Sequence, residues 1–440
     1  MRSTAVRSRF WSMIALFAAV LASPGIVTAQ TAATGEALTL DQLYLLVQQR
    51  SPVLRAAGAA VDAAAAREAS AGLPPDPTVQ LGIMNFSVPS LKTDMPTAMA
   101  PSIQAMQMLP LNGRLGLSRR VAELETTMKR AGAEEAWWEV RSRAAMLFYE
   151  IYETDQRIAT MRESLRLLHE VEQVAKTMYA TGEGRQSDVL RAGVEVARGD
   201  AELRRMEAMR TSAAARLNAM LARPSDTPVP AVTLGELPLI IPGIDTLRAW
   251  GEASRPMLEG ARANLEQART RGDLARREIW PDPTIGVEYG QRSGEMGTDR
   301  MGSVMLGFSI PIFAKSRQLR MRDEAAAEES IARAELADLR AGFDAHITEI
   351  LAELERARTL VTLYRAEILP QAHANVQASL SSYRVGRVDF MTLLDAQLAV
   401  NEYEQEHVAL LANYGRFIAE LELTIGRELP RSSQVLAEVR

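Results

Sequence analysis

From about residue 283 the chain alternates. Ile285, Val287 and Tyr289 interleave with Thr284, Gly286 and Glu288, and Val304, Leu306, Phe308 and Ile310 interleave with Met305, Gly307 and Ser309. A period of two with one apolar face predicts strands over about 283–290 and 302–312. Two further strand-like segments, about 77–87 and 102–110, occupy the corresponding place in the first half. The polar, glycine-bearing stretch QRSGEMGTDRMG at 291–302 reads as a loop. Elsewhere the period is helical. Phe343, Ile347, Leu351, Leu354, Ala357, Val361, Tyr364 and Ile368 step by three or four, which puts them on one stripe. Helical character covers roughly 39–72 and 244–279, then about 115–180 and 316–384, where Pro370 is the only proline. After breaks at GEG and VGR it continues to about Ala222 and Ile425. An unbroken helix of about 65 residues would be on the order of 100 Å long. No ordinary globular core needs such a helix.

The two halves repeat. Pro75-Asp76-Pro77-Thr78 returns as Pro281-Asp282-Pro283-Thr284, 206 residues on, and both copies end a helix and start a strand. SPVLRAAGAAVDAA at 51–64 resembles RPMLEGARANLEQA at 255–268, and Leu109-Pro110-Leu111 answers Ile310-Pro311-Ile312. YATGEGRQSDVLRAGVEV at 179–196 parallels YRVGRVDFMTLLDAQLAV at 383–400. Four landmarks in one order at nearly constant spacing make a tandem duplication of about two hundred residues. The expected division is a leader over 1–29, a first repeat over 30–226 and a second over 227–440. The proline-rich stretch 224–243 connects the repeats.

Composition narrows the function. Arg2, Arg7 and Arg9 precede an apolar run from Phe10 to Leu21, and Val27-Thr28-Ala29 supplies small residues for cleavage. This is the pattern of a signal peptide and predicts export. The net charge is −5, and −8 without the three leader arginines, so no nucleic-acid surface is expected. The chain has no cysteine, which removes disulfides, thiolate metal sites and lipid attachment through an N-terminal cysteine. It has no phosphate-cradling glycine loop, HExxH motif or nucleophile elbow, so neither enzymatic activity nor a cofactor is expected.

No segment after the leader reaches the length of an apolar membrane helix, so membrane contact must come through strands. Four strands cannot close a barrel, and an open edge in lipid leaves backbone groups unpaired at several kcal/mol each. Two copies would give eight strands and three would give twelve. Elementary physics permits both.

The PDPT junctions, the strand exits LPLNGR and IPIFAKSR, and the two hairpin tips resemble those of the TolC family of outer-membrane efflux channels, over essentially all of the mature chain. The resemblance implies a mainly α chain with membrane β structure, made of long coiled-coil-like helices and four membrane strands per protomer. Three protomers would share a 12-stranded barrel and an α-helical tunnel. It implies a homotrimer in the outer membrane, its helical part in the periplasm and its strands against outer-membrane lipid. A periplasmic adaptor (membrane fusion) protein and an inner-membrane pump would be its partners. The tips Gly182 and Gly386 would contact the adaptor. In the family, the helix after the second tip carries two acidic positions that ring the closed periplasmic end. Asp395 matches the second, and Thr392 stands at the first. Tyr383 matches the gate tyrosine, and Arg387 lies one position before the gate arginine. Ser187 and Asp188 align with the hydroxyl and acid that bind that tyrosine and arginine in the closed state.

The expected activity is passive conduction of whatever an inner-membrane pump delivers, with heavy-metal cations such as copper as the leading substrate. Drug efflux or type I secretion is the alternative within the family, and a periplasmic coiled-coil adaptor or scaffold the alternative outside it. Met84, Met95, Met99, Met106, Met108, Met296, Met301 and Met305 cluster around the strands. Thioethers suit Cu(I) or Ag(I), but methionine also fills apolar surface. No Met-x-x-Met array marks a metal site, and none is expected. The four histidines are scattered, and His407 falls on an apolar stripe that reads as packing.

Overall fold

A computed structural model describes residues 37–430 apart from 85–87, 90–98, 239 and 295–296; the expected leader lies outside the described residues. The order is α1 (Leu40–Arg50), α2 (Pro52–Ala71), β1 (Thr78–Met84), β2 (Met99–Met108), α3 (Arg114–Ala180) and α4 (Gln186–Met220). It repeats as α5 (Ile244–Ser254), α6 (Pro256–Arg277), β3 (Pro283–Gly294), β4 (Gly297–Phe308), α7 (Gln318–Leu363), α8 (Leu369–Arg384) and α9 (Phe390–Ile425). A π-helical turn, Tyr364–Ile368, joins α7 to α8.

Proline explains where this departs from the periodicity. The stretches over 39–72 and 244–279 are each two helices, broken at Pro52 and Pro256. Proline forces the residue before it out of the helical region, and Ser51 (ψ 123°) and Arg255 (ψ 115°) are extended. The 67 residues of α3 form one helix, about 100 Å at 1.5 Å per residue. Its counterpart is interrupted by the π turn just before Pro370. A proline ring collides with the carbonyl four residues back and offers no N–H. Widening the helix by one residue per turn absorbs both defects. The stretch 291–302 is also not simply a loop. β3 runs to Gly294 and β4 starts at Gly297, with Arg292 and Asp299 paired at 3.0 Å across the ladder.

The four strands form one antiparallel sheet in the order β1-β2-β3-β4, so β1 and β4 are its edges. One face carries Val79, Leu81, Ile103, Ile285, Val287, Val304 and Leu306, all exposed. The other carries Gln80, Ser102, Gln104, Met106, Thr284, Glu288, Ser303 and Met305. Ser102 and Glu288 on this polar face are buried, as on the concave side of a curled sheet. The two repeats join at the base of β2 and β3. There Leu109 N–H donates to the Pro283 carbonyl at 2.9 Å, and Arg114 meets Asp282 of the second PDPT at 2.5 Å. Arg277 donates to the Asn112 carbonyl beside Gly113, which turns at φ 71°.

Among the helices, α1, α3, α4 and α9 enclose one apolar cluster around Phe148, Leu217 and Leu43, while α5, α7 and α9 enclose a second around Ile347, Leu421 and Ile425. Arg141 ties them. Its guanidinium lies 3.9 Å from the Tyr44 ring centroid, 3.3 Å from Glu422 and 2.6 Å from Glu428. Burial pushes the Glu422 carboxyl up, against the pull of Arg141. Removing the arginine would strand a buried charge, a loss of about 3–5 kcal/mol. Arg141→Leu is therefore expected to lower the thermal midpoint in detergent far more than Glu428→Ala, whose side chain is 62 % exposed. Circular dichroism melts of the two variants compare them directly.

Candidate functional site

The two helical hairpins end side by side. After α3, the chain turns through Gly182 (φ 80°) and Gly184, and α4 begins at Gln186. A Cβ at Gly184 would sit 2.9 Å from the Tyr179 nitrogen, so the turn closes only around glycine. After α8, Gly386 (φ 66°) reverses the chain, with Arg387 N–H donating to the Ser382 carbonyl at 2.9 Å. Left-handed φ at both tips is what glycine permits at least cost. An apolar cluster packs the hairpins together, with Leu168, Val171 and Ala192 of the first against Tyr383, Phe390 and Leu393 of the second.

Tyr383 is buried, its ring edge-on to Phe390 with centroids 5.9 Å apart. Burial pushes its phenol up, and the charge of nearby Asp188 adds to that. The phenol oxygen nevertheless makes no hydrogen bond to any described residue. Ser187 instead donates to Asp188 at 3.2 Å. Arg387 is exposed and makes no ion pair with Asp188 among the described residues. Thr392 and Asp395 are exposed one turn apart on α9, whose opposite face buries Leu393, Leu394, Ala396 and Gln397. Three residues' spacing on a helix gives both side chains one direction. The geometry thus brings Tyr383, Asp188 and Ser187 together and places Thr392 and Asp395 on a separate exposed stripe.

Asp389 is the tip residue that the family pattern passes over. It caps α9, accepting from the Thr392 amide at 2.9 Å and from the Thr392 hydroxyl at 2.5 Å. Thr392 therefore serves the cap. The signal was legible as Asp-x-x-Thr ahead of an apolar run, an N-terminal capping pattern. The matching position of the first tip, Arg185, offers no such cap.

A second candidate surface is the polar face of the sheet. Its rows run Thr78–Met106–Gly286–Met305, then Gln80–Gln104–Glu288–Ser303, so polar and thioether groups alternate with glycine. Among the described residues, no group of three or more His, Asp or Glu side chains is placed to hold a metal ion. No described helix is long and apolar enough to cross a membrane.

Comparison with known proteins agrees with this geometry. Residues 252–427 match the model of the outer membrane efflux protein family. The chain is 22% identical over 360 residues to the cobalt-zinc-cadmium resistance protein CzcC of Cupriavidus metallidurans, a match covering 79% of this chain and 83% of that protein. Among solved structures it is similar to the outer membrane protein VceC of Vibrio cholerae (TM-score 0.75, 16% identity, 89% of this chain and 97% of that one). It is also similar to CusC, whose structures concern folding and transmembrane channel formation (TM-score 0.76, 14% identity, 88% and 92%).

The Asp389 cap gives a pH signature. The Thr392 hydroxyl, and then its amide, hold the Asp389 carboxyl below its ordinary value. A lowered folded-state value means that the contribution is complete above about pH 4 and is lost as pH falls through the lowered value. Exchange protection factors of the first-turn amides of α9 should be level from about pH 7 to 5 and fall below about pH 4. Asp389→Ala should show the low protection at every pH.

Proposed function

We propose that this chain, a member of the TolC family of outer-membrane efflux proteins, is the outer-membrane channel of a tripartite efflux assembly. In this reading three copies share one twelve-stranded barrel and continue it as an α-helical tunnel. An inner-membrane pump delivers substrate, and a periplasmic adaptor engages the tips at Gly182 and Gly386. The carrying observation is a four-stranded sheet with an exposed apolar face and two unpaired edges. In lipid such edges must find partners, and a symmetric ring of copies supplies them.

The duplication suggests how the ring closes. Inside the chain, Arg114 at the exit of β2 holds Asp282 at the entry of β3. The repeat puts Lys315 at the position of Arg114, after β4, and Asp76 at the position of Asp282, before β1. Both are exposed at the sheet's outer edges. Rotating the internal junction onto the subunit boundary brings Lys315 of one protomer to Asp76 of the next.

Heavy-metal cations are the proposed substrate class, supported by the similarity to a cobalt-zinc-cadmium resistance protein. At the periplasmic end, three copies of Asp395 would surround the axis. Such a ring repels itself and attracts cations. Tyr383 with Asp188 and Ser187, joined by Arg387 of the second tip, would form the contacts that hold the hairpins together in the closed state. Opening would then repartner Tyr383, whose hydroxyl is unbonded here.

Three measurements bear on this reading. Recovery of the protein in the soluble periplasmic extract, with no trimer in detergent, would overturn it. Asp76→Lys is expected to lower the temperature at which the detergent-solubilised trimer dissociates, and adding Lys315→Asp to restore it. An exposed pair contributes only about 0.2–1 kcal/mol, so the effect should be small per seam but present at all three. In planar bilayers, Asp395→Ala should shift the reversal potential in a KCl gradient toward lower cation preference and weaken block by multivalent cations. An unchanged potential and unchanged block would remove the ring.

A further inference from the structure

The strand methionines are dispersed in sequence, but two of them converge. Met106 on β2 and Met305 on β4 occupy one cross-strand row with Gly286 of β3 between them. A Cβ at Gly286 would lie 3.2 Å from Met106 Cγ and 3.5 Å from Met305 Cε. Both side chains therefore lean into the space that the glycine leaves. They come from opposite halves of the duplication.

Their neighbours are polar. The Gln104 amide lies 3.6 Å from Met305 Sδ. In the next row Glu288 is 9 % exposed, and its Oε1 has no hydrogen-bond partner among the described residues. Gap filling by methionine accounts for the contact with the glycine. It does not account for a buried carboxylate oxygen left unpaired one row away, a costly arrangement without a compensating partner.

We propose that Met106 and Met305, with Glu288 supplying negative charge, form a binding site for a soft monovalent cation, Cu(I) or Ag(I), on the concave face of the sheet. The proposal rests on the reading of that face as the channel lining. Thioether sulfur favours Cu(I) and Ag(I) over divalent ions that prefer nitrogen and oxygen. Two thioethers and a carboxylate make a sparse site, as conduction requires: binding must be firm enough to admit the ion and weak enough to release it. A bound cation would satisfy the unpaired carboxylate oxygen of Glu288. No bond to carbon changes and no electron is transferred.

Silver is the practical probe. The full-length protein in detergent is titrated with silver nitrate in chloride-free buffer by calorimetry, with zinc, a divalent ion that binds nitrogen and oxygen in preference to thioether, as the control. The double variant Met106→Leu/Met305→Leu, close in volume, should lose one silver equivalent per protomer or at least tenfold in affinity. Its zinc isotherm should not move. Met209→Leu, exposed on α4, should leave the silver isotherm unchanged, and Glu288→Gln should weaken silver binding by less than the double change. Should the variant fail to assemble, methyl-labelled methionine in the unaltered protein still decides. Two methyl resonances should shift with the first silver equivalent, in slower exchange than the rest. A silver isotherm indifferent to both leucines, or no selective methyl shift, overturns the site. Bilayer conductance is scored separately. Conduction without this silver binding refutes the site alone, and silver binding at these residues without conduction refutes the channel reading alone.

Discussion

On the proposed reading the sheet lies in lipid, where a strand edge has no water to pair with, and that constraint organises the molecule. The sheet has four strands, an apolar exposed face and two edges. One chain cannot satisfy those edges by itself. The strands therefore make sense only as a share of something larger, and on the proposed reading the helices inherit that symmetry. Each strand pair is followed by a long helix that leaves the sheet at the base and returns through a hairpin. On that reading, the arrangement that closes the sheet would also arrange the helices as a ring. The tips, some 67 helical residues from the strands along α3, are placed by the same closure.

Duplication makes such closure economical in design. The contact between Arg114 and Asp282 joins two halves that descend from one repeat. The same chemistry, carried on Lys315 and Asp76, is available at the outer edges. A junction built within the chain can thus be reused between chains. The halves are not copies, though. Pro370 forces a π turn into the second long helix, whereas α3 runs unbroken. Asp389 caps the second tip, while Arg185 stands at the first. The asymmetry at the tips falls where the two hairpins of one protomer pack against each other.

Legibility followed the range of the physics. Helices and strands follow from periods of 3.6 and 2, which a reader of residues 284–310 or 343–368 can count. Helix ends at Pro52 and Pro256 are equally local, because each proline forces the residue before it out of the helical region. The pairing of Arg292 with Asp299 was harder. A polar, glycine-bearing stretch carries loop composition, yet two such stretches can extend a hairpin once their backbones pair above the apolar band. At the tip, the cap made by Asp389 was present in the spacing, whereas the absence of a hydrogen bond from Tyr383 was not. That depends on how close two hairpins approach.

By itself the sequence determined the duplication, the alternation of long helices with short strands, the turns at Gly182 and Gly386, and the absence of thiol chemistry. Each depends on residues close in the chain or on composition. Only the tertiary structure decided which residues meet across the repeats. Met106 and Met305 became neighbours because register, set by backbone hydrogen bonds over four strands, aligned them on either side of Gly286. Arg141 reached Tyr44 and Glu422 because three helices packed against a common apolar cluster. Contacts of that kind have no period and no fixed spacing. They are properties of packing, and packing is a relation between segments that local sequence does not encode.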